Sequence, residues 1–357
     1  MLSIISFTET GKLLSESIAR MFKTDMEVCL YTKCQACIEE DVNSTVSFVK
    51  TSVMAWAGEQ MQKQNAMLFI GACGIAVRAI APFLTDKLHD VPVLVMDEKG
   101  KFMIPILSGH MGGANELANE LAKKMGAEPV ITTATDINQK FAVDLFAKRN
   151  GFSIANKEGI AKVSSKILAG KEITMSIEPE HRISTEDVYL PVGMRLIPYP
   201  PECAVDIVIT SKADIFDTAI LLKPKEYIIG MGCRRGKSAE EIDDFIAKRL
   251  KKINISMEQV YALASISQKS DEQGLIEWSK KERVLFLTYT ARELQEVKGN
   301  FKESSFVKAQ VGVGNVCERA AIKACEENGE LIAPKFAENG MTIAIAKREW
   351  TVDFYDE

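Results

Sequence analysis

At 357 residues, with a formal net charge of −5 and ordinary apolar and charged fractions, the chain reads as a soluble protein of two or three domains. No apolar run approaches membrane-spanning length, and the start lacks the basic flank and cleavage site of a signal peptide, so a cytoplasmic protein without a membrane partner is expected. The acidic balance argues against nucleic acid as a bulk partner, which leaves any anionic ligand to local basic clusters.

Residues 2–7 read as a first strand, and Leu14, Ile18, Met21 and Phe22 then recur at helical spacing behind Thr10, taken as the cap. Gly11-Lys12 is no phosphate loop, because it lacks both the earlier glycine and the following Ser or Thr. Cys34 and Cys37 form a lone CxxC. With eight cysteines, no export signal and three histidines, reduced thiols and no metal site are expected. Strands near Glu27–Tyr31 and Met67–Ile70 with a helix near Val49–Lys63 continue a strand-helix alternation, which favours a doubly wound α/β sheet.

Gly71-Ala-Cys-Gly74 turns out of that strand into a helix that carries Arg78 in what reads as its first turn, where a cation is at ease beside an anion. Val91–Met96 and Phe102–Leu107 flank a hairpin loop. The second of these runs into Ser108-Gly109-His110-Met-Gly112-Gly113-Ala-Asn115, a glycine turn that opens a helix stopped by Gly126. His110 combines an imidazole with exposed backbone amides, whereas His89 lies in a polar connection and His181 in a charged run. Val130–Thr133 is expected as a strand, and a helix through Phe141, Leu145 and Phe146 closes an N-terminal domain, 1–150.

Over 151–225 the pattern weakens to a helix at Lys157–Ala169, strands at Ile173–Ser176 and Val205–Thr210, and a proline-rich passage between them, a small middle domain or structured linker with no legible chemistry. The remainder, 226–357, repeats strand-turn-helix units. Tyr227–Gly230 leads through Gly232-Cys-Arg234-Arg235-Gly236-Lys237 into a helix with a Ser238/Glu241 capping box, so backbone amides, a helix end and fixed positive charges converge as an anion cradle. A dinucleotide is disfavoured, since the next strand, Val260–Ile266, ends in Ser267-Gln268-Lys269 without the acidic residue such a site uses. Thr290/Glu293 forms a second capping box, Val311-Gly312-Val-Gly314-Asn315-Val-Cys-Glu318 opens a helix expected to end at Gly329, and Thr342–Ala346 is a strand. Asp271, Glu272 and Glu318 stand in or beside these turns as general-base candidates.

Leu68–Pro82 together with Leu107–Ala118 resembles the N-terminal domain of the CbiG family of cobalamin biosynthesis. Gly230–Ile242, Lys269–Leu275 and Val311–Glu318 resemble its CobE-like C-terminal α/β domain. The resemblance implies hydrolysis of cobalt-precorrin-5A in the anaerobic route to vitamin B12: a δ-lactone is opened and a carbon with its methyl group leaves as acetaldehyde. It also implies that cobalt belongs to the substrate, so no cofactor is expected, and that neighbouring cobalamin-pathway enzymes are partners. A tetrapyrrole with many acetate and propionate groups suits several separated cradles. Gly74, Arg78, Ser108, Gly109, Gly112, Gly113, Asn115, Gly232, Arg234, Arg235, Lys237, Gly312, Gly314 and Asn315 are accordingly expected to bind substrate. His110 is the preferred base, with Glu318 or Asp271 as alternatives and the amides of the Gly109–Gly113 turn as oxyanion donors. A tetrapyrrole carrier without chemistry would use the same cradles.

Overall fold

Seven strands of the first sheet are β1 (Leu2–Ser6), β2 (Val28–Thr32), β3 (Val46–Phe48), β4 (Ala66–Ile70), β5 (Val93–Met96), β6 (Phe102–Leu107) and β7 (Glu128–Pro129), in the order β3-β2-β1-β4-β5-β6-β7. The computed structural model to which they belong describes residues 1–37, 45–85, 90–110, 112–137, 140–178, 190–213, 216–326 and 328–354; His89 and His181 lie outside these. The chain divides into two units, Met1–Lys140 and Phe141–Glu357. Among the described residues no helix is long and apolar enough to cross a membrane.

β1 and β4 are buried almost throughout, as parallel strands covered on both faces must be. Ile18, Ala118 and Leu121, from helices Glu9–Met21 and Ala114–Met125, and Phe22 at the end of the first, close one face over Leu2, Ile4 and Leu68. Trp56, Ala57, Ala76 and Ile80, from helices Val53–Gln62 and Cys73–Ile80, close the other over Ile5, Phe69 and Val93. The sheet is therefore doubly wound. β1 to β5 pair in parallel along the order β3-β2-β1-β4-β5, whereas β6 turns back antiparallel on β5, with Leu107 opposite Val93.

Three local expectations change. The first helix is capped by Thr8, not Thr10, since the Thr8 hydroxyl accepts the Gly11 N–H at 3.0 Å. Val130–Thr133 is not a strand: the Val130 N–H still reaches the Met103 carbonyl at 2.8 Å, but the chain then leaves the edge and Thr133 meets the Asn115 side chain instead. The helix expected through Phe141 is two short ones, Ala134–Ile137 and Val143–Arg149.

The second unit begins with a sheet of β8 (Phe152–Ile154), β9 (Ile173–Ile177), β10 (Met194–Ile197), β11 (Val205–Ile209) and β12 (Thr218–Pro224), in the order β10-β9-β11-β12-β8. Its last sheet is β13 (Tyr227–Cys233), β14 (Val260–Ile266), β15 (Leu285–Tyr289), β16 (Glu330–Glu338) and β17 (Met341–Lys347), in the order β15-β14-β13-β17-β16. β13, β14 and β15 are parallel, and β17 returns antiparallel beside β13. Helices Ala239–Lys252 and Gln273–Glu282 bury Phe245, Ile246, Leu275 and Trp278 on one face, and helix Cys317–Lys323 covers the other. That last helix lies so close that a Cβ on Gly230 would stand 1.8 Å from the Cys317 carbonyl oxygen, which explains a glycine in the middle of β13. It ends at Lys323, short of the expected Gly329. β16 escaped the sequence pattern because it is an edge strand carrying Pro334 at a register shift, where a missing N–H is tolerated.

Residues 350–354 return to the start of this unit. Asn150 and Asp353 exchange hydrogen bonds at 2.9 and 2.6 Å, Phe354 stacks on Phe146, and Trp350 meets Phe152 edge-on.

Candidate functional site

In the last sheet the motif turns collect at the carboxyl ends of β13, β14 and β15, where a doubly wound sheet binds its ligands. Gly232, one residue inside the end of β13, has its carbonyl accepting from the Thr342 hydroxyl at 3.2 Å, and the Arg234 N–H donates to the Gly340 carbonyl at 3.0 Å. The Gly236 N–H, expected to face an external anion, instead donates to Glu272 Oε1 at 2.7 Å, while Lys269 Nζ lies 2.9 Å from Glu272 Oε2. Burial pushes the Glu272 carboxyl up, but the Lys269 ammonium and the Gly236 amide outweigh it and hold the group below the usual carboxylate range. Arg235 bonds Asp271 Oδ2 at 3.0 Å and the Gln268 carbonyl at 3.1 Å, and its guanidinium lowers the Asp271 carboxyl. Lys237 pairs with Glu241, which also closes the Ser238 capping box. The protein's own carboxylates thus occupy most of this cradle. Arg234 is the exposed cation of the turn whose side chain makes no hydrogen bond or ion pair among the described residues.

Gly312 lies beside Ala291 at the start of the helix after β15, and Val316 lies beside Gly232, so the Gly312–Glu318 turn shares this edge. Asn315, two residues before its helix, accepts the Glu318 N–H at 3.0 Å, and its amide donates to the Lys302 carbonyl at 3.1 Å and to Glu318 Oε2. Glu318, only 2% exposed, accepts the Lys335 N–H on Oε1 at 2.7 Å and the Lys302 N–H on Oε2 at 3.2 Å. Both of its oxygens bond backbone N–H groups, so Glu318, expected as a base, also ties its helix to the 302 segment and to β16. Asp271, paired with Arg235 and held ionised, likewise stands as an ion-pair partner.

Sequence reasoning missed Glu303. Its Oε1 accepts from Arg319 Nη2 at 2.8 Å; Arg319 in turn donates through Nη1 to the carbonyls of Leu294 at 3.0 Å and Val297 at 2.8 Å and stacks over Phe301. The other oxygen, Oε2, lies over Gly314, where a Cβ would come within 1.7 Å of it. The pair is separated by 16 residues, and nothing local in Phe301-Lys302-Glu303-Ser304 marks it.

In the first unit the expected residues fall at two opposite edges. Gly74 and Arg78 lie beyond the carboxyl end of β4, next to that of β1, the point at which the strand order reverses. The helix starts at Cys73, so Arg78 belongs to its last turn and not its first, but its guanidinium folds back to within 3.4 Å of a Cβ placed on Gly74. Ser108, Gly109, His110, Gly112, Gly113 and Asn115 follow β6, whose reversal sets them at the amino ends of the parallel strands. At least about 10 Å of strand separates the two edges.

That second turn closes on itself. The Gly113 N–H donates to the His110 carbonyl at 2.8 Å, Ala114 to Ser108 at 3.0 Å and Asn115 to Gly109 at 3.0 Å, so Gly113 cannot also face an oxyanion as expected. The Ser108 hydroxyl bonds the Asp90 carbonyl at 2.8 Å, and Asn115 packs so near Gly109 that a Cβ there would meet its Oδ1 at 2.8 Å.

The middle sheet, without legible chemistry in the sequence, carries a polar cluster where β9 and β11 end. Buried Glu178 accepts the Thr210 hydroxyl at 2.7 Å and the Ser211 N–H at 2.9 Å, with Lys212 Nζ at 3.2 Å. Burial raises its carboxyl, and these donors together bring it below its ordinary value.

Family models described as cobalamin synthesis G N-terminal and cobalamin synthesis G C-terminus match residues 55–136 and 227–346. A Priestia megaterium protein named cobalt-precorrin-5A hydrolase is 33% identical over 333 residues, 90% of this chain and 88% of that one. A protein of the same name from Salmonella typhimurium (strain LT2) is 34% identical over 291 residues, 79% of this chain and 81% of its own. Among solved structures, a cobalamin biosynthesis protein G homolog from Sulfolobus solfataricus is 24% identical, with 98% of this chain and 97% of that one covered at a TM-score of 0.40.

Proposed function

This chain belongs to the cobalamin synthesis G family, and on that premise we propose that it is a cobalt-precorrin-5A hydrolase of cobalamin biosynthesis. The observation that carries the reading is the 33–34% identity to two proteins of that name across most of the chain. The substrate brings its own cobalt, so the protein's part is to grip carboxylates and move protons.

In the reaction the resemblance implies, water adds to the lactone carbonyl while its proton passes to a base. The ring C–O bond then breaks, and the departing oxygen takes up that proton as a hydroxyl. Loss of the hydroxyl proton next lets the adjacent C–C bond break, so that acetaldehyde leaves and the electron pair left on the macrocycle carbon takes a proton. We assign the first base to His110 and the oxyanion to backbone N–H groups earlier in its turn, at Gly109 and Gly112. Arg78 and Arg234, at the carboxyl ends of their sheets, are assigned to peripheral carboxylates.

Incubation of the purified protein with cobalt-precorrin-5A should release acetaldehyde; a carrier would bind the substrate and release none. His110→Gln should lower turnover by roughly 10²–10⁴ with little change in binding. Near-wild-type turnover by that folded variant would remove His110 from the chemistry.

A further inference from the structure

The carboxylates at the carboxyl edge of the last sheet differ in how they are held. Glu241 and Glu293 close capping boxes, Glu272 is divided between Gly236 and Lys269, and Glu318 is spent on backbone amides. Asp271 keeps one oxygen unbonded, but its partner Arg235 is as open to solvent as Asp271 itself, with side chains 64% and 66% exposed.

Glu303 combines a fixed carboxylate with a half-exposed side chain. Its side chain is 49% exposed, while that of Arg319, which orients it, is 15% exposed. Three backbone carbonyls, of Leu294, Gln295 and Val297, and the Phe301 ring lock the guanidinium, and the Ser304 N–H ties the neighbouring backbone to the Gly314 carbonyl at 2.8 Å. Oε2 accepts no hydrogen bond among the described residues and points over the Gly312–Asn315 turn. A side chain at position 314 would occupy the place of that oxygen, so the glycine there serves the carboxylate as well as the turn. A base is effective when its geometry is set before the substrate arrives, and here the setting comes from an arginine that backbone carbonyls and an aromatic ring already hold in place.

We propose that Glu303 is the second base of the reaction, with Arg319 its positioning residue; the proposal rests on the hydrolase reading above. The hydroxyl freed by lactone opening gives its proton to Glu303 Oε2 and its oxygen becomes the carbonyl of acetaldehyde. The C–C bond breaks, and the pair it leaves on the macrocycle carbon is protonated from water or from the same carboxyl group. No oxidant, reductant or further reactant enters.

The test uses the full chain, cobalt-precorrin-5A, an acetaldehyde assay and mass spectrometry of the macrocycle. Glu303→Gln should still open the lactone, so that a species one water heavier than substrate accumulates while acetaldehyde release falls by roughly 10²–10⁴ and KM changes little. Glu303→Asp, which keeps the acid but withdraws it by one methylene, should regain part of the release. The proposal is overturned if Glu303→Gln releases acetaldehyde at near the wild-type rate, or if its loss of release comes without the hydrated species and with a lowered unfolding midpoint, the signature of a purely structural Arg319 clamp. Wild-type protein that neither hydrates the substrate nor releases acetaldehyde would defeat the hydrolase reading itself, a result visible before any variant is compared.

Discussion

Replacing Glu318 by Ala separates a brace from a base. The change orphans three donors, the N–H groups of Lys302 and Lys335 and the Asn315 amide, and unties the 302 segment and β16 from the helix at Cys317. An unsatisfied buried donor costs about 1–3 kcal/mol, and because water reaches part of these backbone groups the lower half of that range applies, about 3–6 kcal/mol in total. For a cooperative unit of this size that corresponds to a fall of about 6–24 °C in the unfolding midpoint. Thermal unfolding followed by circular dichroism reads the shift, and acetaldehyde release below the midpoint reads activity. Glu318→Gln should lose less stability, because one oxygen remains an acceptor. A Glu318→Ala protein that melts with the wild type yet turns over no substrate would refute the brace and restore Glu318 as a base.

Arg234→Ala should weaken binding of a cobalt corrinoid carboxylate by roughly tenfold to a hundredfold, the range for a hydrogen bond to a charged group, and Arg235→Ala by less, since Arg235 already serves Asp271 and Gln268. An absorbance titration in which Arg235→Ala is the weaker binder would reverse the roles. For Glu178 the folded pKa is depressed, so its contribution to stability is present above the ordinary glutamate value and lost as the pH falls through the lower folded one. Glu178→Gln should flatten that acid limb in a series of melts against pH; an unchanged slope would mean that other carboxylates set it.

The parts written in short stretches of sequence were legible. Both capping boxes, Ser238/Glu241 and Thr290/Glu293, and the strand Val260–Ile266 form as their residues suggest, because cap and apolar run need no distant partner. The doubly wound N-terminal sheet and the α/β C-terminal domain followed from the alternation of such stretches. The placement of His110 did not. Its glycine turn looks like the one at Gly71–Gly74, and only the antiparallel pairing of β6 on β5 sends it to the other rim. The occupants of the Arg234–Lys237 cradle were equally hidden, since Glu272 and Asp271 arrive from a turn some 36 residues away. Middle strands were missed where they are three or four residues long, as at Phe152–Ile154 and Met194–Ile197, or end in proline, as at Thr218–Pro224.

The return of residues 350–354 to Asn150 bears on how the protein is made. The Asn150–Asp353 pair spans 203 residues, so the helix around Phe146 leaves the ribosome long before the ring that stacks on it. At ~5–20 residues per second the delay is ~10–40 s, long beside the microsecond-to-second folding of small domains. Through that interval Phe146 and Phe152 lack the cover of Phe354 and Trp350. A nascent chain arrested before Trp350 should therefore engage holding chaperones that the finished chain no longer needs.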